Sequence, residues 1–136
     1  MIKVGLIGGG HVHAKGYGQM ILNHPQCTLC GVWDDDATRG KELAEQLNCD
    51  FYSDADELIA LSDGVIITSA TNQHPTLISK AAKQKKDIFT EKVLALTVEE
   101  ALKIKQVIEE NGVHFTISFP FQAGAGNRAI KKAVEE

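Results

Sequence analysis

The 136-residue sequence predicts an α/β domain: a doubly wound parallel sheet of about six strands. Three observations predict it. Short apolar, β-branched runs alternate with stretches of helical periodicity along the chain, the rhythm of strand–crossover–strand units. The opening strand runs into Gly8-Gly9-Gly10 and then a helical pattern, which is how a sheet offers backbone N–H groups and the positive end of a helix to a phosphate. Four separated segments with chemical potential each follow a strand, and in such sheets ligands sit beyond the carboxyl ends of the strands at the switch point.

The first strand is Ile2-Lys3-Val4-Gly5-Leu6-Ile7. Gly8 lets it end in a tight turn, and Gly10 lets the main chain approach a pyrophosphate with no Cβ in the way. The third glycine of a G-x-G-x-x-G pattern falls at 13, where His13 stands instead. A displaced first helix is expected there, with His13 turned from the sheet. His11 and Val12 belong to the same phosphate-binding turn, His11 through its backbone N–H. The first helix is expected over about residues 11–22, stopping at Asn23-His24-Pro25 because proline disfavours helix at the residue before it.

Thr28-Leu29-Cys30-Gly31-Val32-Trp33 is the second strand and ends in Asp34-Asp35-Asp36. Asp34 lies 21 positions after His13, matching the acid expected about 20 residues on, where it accepts hydrogen bonds from ribose hydroxyls. A carboxylate there repels a 2′-phosphate and favours NAD, while Arg39 nearby keeps NADP open. A helix over 37–47 carries Leu43, Ala44 and Leu47 at helical spacing, followed by a short strand at Asp50-Phe51-Tyr52. Ser53 with Asp56 reads as the start of a short helix through Leu58, Ile59 and Leu61.

Gly64-Val65-Ile66-Ile67-Thr68 has the β-branched character of a strand covered on both faces. The polar loop Ser69-Ala70-Thr71-Asn72-Gln73 follows, and His74-Pro75 opens a helix with proline in the first turn. Asp87-Ile88-Phe89-Thr90 is the next strand and delivers Glu91-Lys92 at its end. Thr97-Val98-Glu99-Glu100 is a capping box for a helix closed by Asn111-Gly112. Val113-His114-Phe115-Thr116-Ile117-Ser118 is the sixth strand, after which residues 119–126 break the rhythm before a final helix over 127–136.

Composition bounds the function. A net charge of −4 with mixed signs argues against a nucleic-acid surface. No apolar run has membrane-spanning length and the first strand begins at residue 2, so a cytoplasmic protein is expected. Cys27-x-x-Cys30 lies on a strand, where side chains three apart point to opposite faces, so neither metal nor redox work is expected of it. His11 and His13, two apart on the expected helix, would diverge; no metal site is expected.

From residue 2 to about 118 the chain resembles the N-terminal domain of the Gfo/Idh/MocA oxidoreductases, the glucose-fructose oxidoreductase and inositol dehydrogenase group. The family's G-x-G-x-x-G is met at Gly8 and Gly10 and departs at His13; its ribose acid falls on Asp34. Its A-T-P-N-x-x-H loop corresponds to Thr68-Ser69-Ala70-Thr71-Asn72-Gln73-His74, with Ala70 for proline and Thr71 for asparagine. Its E-K-P motif corresponds to Glu91-Lys92-Val93, without the proline. The arginine-phenylalanine pair that follows the family's sixth strand is not matched by Phe119-Pro120-Phe121-Gln122.

The resemblance implies a Rossmann dinucleotide-binding domain at 1–118, with 119–136 a crossover segment opening a second domain that is absent. It implies hydride transfer between nicotinamide and a hydroxyl-bearing carbon of a sugar or cyclitol, Lys92 polarising or helping to deprotonate that oxygen and Glu91 orienting the loop or cofactor. His74 either lines the nicotinamide side or caps its helix. Ser69, Ala70 and Thr71 complete the cofactor-binding set. The chain is either a piece of a longer enzyme or a lone cofactor domain, and in both cases binds dinucleotide with little or no turnover. The competing class is a non-enzymatic dinucleotide-sensing module; an S-adenosylmethionine site ranks lower because it leaves Glu91-Lys92 without a task. Exposure of the sheet edge and cleft is expected to favour a homo-oligomer.

Overall fold

The computed structural model describes residues 1–120 and 124–135. Its elements are β1 (Ile2–Ile7), α1 (Ala14–Asn23), β2 (Cys27–Trp33), α2 (Ala37–Leu47), β3 (Phe51–Tyr52), α3 (Ala55–Leu61), β4 (Gly64–Ile67), a 3₁₀ turn (Thr71–Gln73), α4 (His74–Lys83), β5 (Asp87–Thr90), α5 (Val98–Asn111), β6 (Phe115–Ile117) and α6 (Ala125–Glu135). Six strands form one sheet in the order β3-β2-β1-β4-β5-β6, every neighbouring pair parallel. The chain starts mid-sheet, builds outward one way, then returns to build the other. The crevice between the β1 and β4 ends is therefore the switch point.

Two cores, one on each face, hold this arrangement. Successive β1 residues point to opposite sides, so Leu6 joins Leu29, Val32, Ile21, Leu43 and Leu47 under α1 and α2. Ile7 joins Val65, Ile67 and Ile88 under α3, α4 and α5, through Leu58, Ile59, Leu77, Ile78 and Ile104. Each such fully buried side chain contributes about 1.5–3 kcal/mol before ordering costs. Cys27 packs against the first core and Cys30 against the second, so the two thiols do point apart.

Helix ends follow local chemistry. Asp36 caps α2 by accepting from the N–H groups of Thr38 and Arg39, and Asn48 closes it in the left-handed conformation. Thr97 and Glu100 form the expected capping box of α5, and Gly112 ends it at φ +63.

Several boundaries differ from expectation, among them the start of the last helix, at Ala125 rather than 127, and one-residue shifts at the ends of β2, β3 and β4. α1 begins at Ala14 rather than 11, because residues 11–13 form a turn in which the Ala14 N–H donates to the His11 carbonyl at 3.0 Å. Asp54, not Ser53, caps α3, accepting from the Asp56 N–H; starting there places Ala55, Leu58 and Ile59 in the core. Residues 71–73 are a 3₁₀ turn rather than open loop. β6 keeps only three residues, since it is an edge strand whose partner, β5, is itself four residues long. Of the expected break and final helix, residues 121–123 and 136 lie outside the described residues.

Candidate functional site

The carboxyl ends of β1, β2 and β4 meet in a cleft of about 390 Å³ lined by Gly10, His11, Asp34, Asp35, Arg39, Thr68, Ser69 and Ala70. Its floor is the turn after β1. Gly8 sits at φ +102, and a Cβ there would stand 2.6 Å from Ser69 Cα and 2.7 Å from the Thr68 carbonyl carbon. Thr68 Oγ1 donates to the Gly8 carbonyl at 2.5 Å, tying the β4 end to this turn. The N–H groups of Gly10, His11 and Val12 have no acceptor among the described residues. Beneath the wall, Ser69 Oγ and Gln73 Oε1 are buried with no partner among the described residues.

Asp34 lines this cleft but is almost fully enclosed, 4% exposed. Its Oδ2 accepts from the Gly9 N–H and from Arg39 Nε at 3.1 Å; its Oδ1 accepts from the Asp36 N–H at 2.7 Å and Arg39 Nη2 at 2.5 Å. Burial opposes its ionisation, and the Arg39 and backbone donors outweigh burial, so the carboxyl sits below its ordinary range. The lone pairs expected to be open to a ribose are thus engaged, because an arginine one turn into α2 reaches back to them. Arg39 also reaches Asp35 Oδ1 at 2.7 Å, and Asp35 Oδ2 accepts from Gln73 Nε2 at 2.7 Å, linking the β2 end to the 3₁₀ turn.

A second group gathers at the β5 end. Glu91 is 1% exposed; its Oε1 accepts from the Tyr17 hydroxyl at 2.5 Å and faces His13 Nδ1 at 2.8 Å, while its Oε2 accepts from the Lys92 N–H at 3.2 Å. Burial raises the Glu91 pKa; the bonds from Tyr17 and His13 more than offset it and hold the carboxyl below its ordinary value. Tyr17 shifts upward, through burial and its bond to Glu91. His13 therefore does not turn away from the sheet: it points to the β5 end because it sits on the pre-helical turn, 51% exposed.

Beyond Glu91 the chain turns outward. Lys92, Val93, Phe119 and Pro120 are exposed and, with the half-buried Leu94 and Ile117, line an apolar groove of about 570 Å³. The Lys92–Val93 peptide is cis. His74 is fully buried, its Nδ1 3.3 Å from the Leu94 carbonyl and its Nε2 3.2 Å from that of Ser69. A ring with one proton donates to one of these at a time, and the ring spans the two loops from beneath. Val12 projects into solvent, and neither it nor Thr71 lines the cleft.

Sequence reasoning brought Gly8, Gly10, His11, Asp34, Ser69 and Ala70 together as the structure does. It missed Tyr17 and Ser118, whose hydroxyls lie 3.4 Å apart above Glu91. The four-residue spacing of His13 and Tyr17, which puts both on one side of the chain, was the available signal. The expected divergence of His11 and His13 is overturned: off the helix, their rings stand 4.9 Å apart.

Strand order, glycine turn and acid together define a dinucleotide-binding Rossmann domain. Orphan N–H donors beside a turn that admits no Cβ, and a buried hydroxyl without a partner among the described residues, suit a diphosphate-containing ligand. The chain belongs to the GFO/IDH/MocA oxidoreductase family, whose NAD-binding Rossmann-fold model matches residues 2–119. It is 29% identical over 138 residues to the 2,7-anhydro-N-acetylneuraminate hydratase of Escherichia coli, covering 100% of this chain and 36% of that protein. It is 32% identical over 114 residues to the scyllo-inositol 2-dehydrogenase (NAD(+)) of Bacillus subtilis, covering 81% of this chain and 32% of that one. The solved UDP-N-acetylglucosamine 3-dehydrogenase of Acidithiobacillus ferrooxidans superposes with a TM-score of 0.86 at 26% identity, covering 97% of this chain and 43% of that chain. The chain thus spans about a third of the length of the first two relatives. No helix among the described residues is long and apolar enough to cross a membrane.

Proposed function

We propose that residues 1–118 hold NAD along the switch-point crevice as the cofactor domain of an oxidoreductase acting on a hydroxyl-bearing carbon of a sugar or cyclitol, with 119–136 opening a second domain. The observation that carries this is the row of N–H groups at Gly10, His11 and Val12, without acceptors among the described residues, beside a cleft walled by Asp34, Ser69 and Ala70. Those donors hold the pyrophosphate, where oriented amides need no reorganisation to meet negative charge. Asp34 holds the adenosine ribose by exchanging an Arg39 hydrogen bond for a hydroxyl. Bound NAD supplies a hydride acceptor.

The chain's own residues do the rest. Lys92, on the groove beyond β5, places an ammonium beside the substrate oxygen and stabilises the developing alkoxide. Glu91 positions it through the backbone N–H bond, and His74 holds the Ser69 and Leu94 loops without touching ligand. Thr71 keeps the loop that bears Ala70. The identity with a hydratase across the whole chain favours a second reading, in which the same domain serves a relative that adds or removes water on a sugar acid. Three free cysteines are consistent with the reducing cytoplasm.

Cofactor choice is the direct test. Asp34 and Asp35 both face the place a 2′-phosphate would take, and Arg39 is already held by both. Fluorescence titration is expected to show NADH binding at least about tenfold tighter than NADPH, a difference of about 1.4 kcal/mol. Equal or reversed affinities refute the assignment of Asp34; no binding of either refutes the function.

A further inference from the structure

The turn after β1 carries two imidazoles that the dinucleotide site does not use; that of His13 contacts the Glu91 carboxylate and that of His11 lies close to both. Donor atoms of His11, His13 and Glu91 all lie within 4.8 Å of one another, and His13 Nδ1 stands 2.8 Å from Glu91 Oε1. The rings meet edge to face, centroids 4.9 Å apart, because residues 11–13 precede α1 instead of belonging to it. Glu91 is held from behind by the Tyr17 hydroxyl and the Lys92 N–H, the kind of outer hydrogen bonds that orient ligating carboxylates.

We propose that His11, His13 and Glu91 form a binding site for one divalent transition-metal ion of the Zn²⁺ or Ni²⁺ class, clipping the β1–α1 turn to the end of β5. Two imidazole nitrogens and one carboxylate oxygen suit such borderline ions rather than Mg²⁺ or Ca²⁺, which favour all-oxygen sets. Metal–ligand bonds of about 2.0–2.2 Å require donors no more than about 4.2 Å apart. His13 and Glu91 already meet that limit. His11, on the same turn, closes the remainder by rotating its ring. The ion replaces two contacts, the hydrogen bond between His13 and Glu91 and the long 3.2 Å one from the His13 N–H to His11 Nδ1. Water fills the remaining coordination positions. Lys92 follows Glu91 directly and its charge opposes the ion, so the expected dissociation constant is micromolar, about 1–100 μM, rather than that of a closed four-ligand site.

Isothermal titration of the full chain with NiCl₂ and ZnCl₂ at neutral pH is expected to give one ion per chain. A thermal melt should show a higher midpoint with saturating ion, since only the folded chain brings the three donors together. His11→Ala and His13→Gln, at surface positions that leave the core intact, should each weaken binding about tenfold or more. A variant with all three cysteines replaced by serine should bind as the parent does. Absence of saturable binding up to about 1 mM Ni²⁺ overturns the proposal. So does a histidine variant that binds like the parent, or loss of binding in the cysteine-free variant.

Discussion

Replacing Gly8 by alanine tests the turn on which the whole crevice rests. At φ +102 the backbone is in a region that side chains rarely adopt, and the new Cβ would come 2.6–2.7 Å from main-chain atoms of Ser69 and Thr68. Neither neighbour is the end of a flexible side chain. Both belong to the loop after β4, tied down by the Thr68 hydroxyl and by the Thr68 N–H bond to the Ile7 carbonyl. The backbone conformation costs about 1–3 kcal/mol and the overpacking about 1–3 kcal/mol, so Gly8→Ala should destabilise by at least about 2 kcal/mol. With a urea m-value of about 2 kcal/mol/M, the unfolding midpoint falls by about 1 M or more. The affinity for NADH falls as well, because the loop after β4 must move to make room. Gly16 is the internal control: it lies within α1, and a methyl group added there would meet no heavy atom within 4 Å, so Gly16→Ala should stabilise by about 0.5–1 kcal/mol. A Gly8→Ala protein that unfolds within about 0.3 M urea of the parent, or the same sign for both substitutions, would refute this account of the turn.

Acid stability and association state follow from the same geometry. The Glu91 carboxyl is held below its ordinary value, so its contribution to stability is complete above the unfolded-state pKa and is lost as pH falls through the folded one. Urea midpoints measured from neutral pH down to about pH 3 should therefore decline more steeply in the parent than in Glu91→Gln; identical slopes would mean the carboxylate is not stabilised in the fold. Val93 and Phe119, which line the Lys92 groove, are more than half exposed, so gel filtration should show concentration-dependent association that Phe119→Ser reduces. A single monomer peak at every concentration counts against it.

Much of the architecture was legible in the chain. β1, α2 and β5 fall where apolar spacing and capping chemistry place them, and the acid at 34 follows the glycine turn at the interval a βαβ unit demands. These are local rules: a strand's alternation, a helix's 3.6-residue period and the conformations open to glycine act within a few residues. β1, at the sheet centre and buried on both faces over Gly5, Leu6 and Ile7, carries the strongest pattern, whereas β4, expected to be covered on both faces, buries only Val65 and Ile67 and leaves Gly64 and Ile66 half-buried.

Contacts across the sheet obey no such rule. That Arg39 would saturate Asp34, that His74 would lie wholly buried between two loop carbonyls, and that Tyr17, His13 and Ser118 would gather over Glu91 all depend on side chains up to 101 positions apart meeting at strand ends. Even the pairing of His11 with His13 turned on where α1 begins: both precede the helix, and His13 reaches the buried carboxylate at the β5 end from the pre-helical turn. Pattern along the chain is enough to predict about six parallel strands and to aim their ends at a crevice. Which donors remain free in that crevice, and which are already taken, is settled by packing and by competition for hydrogen bonds among residues that sequence spacing does not relate.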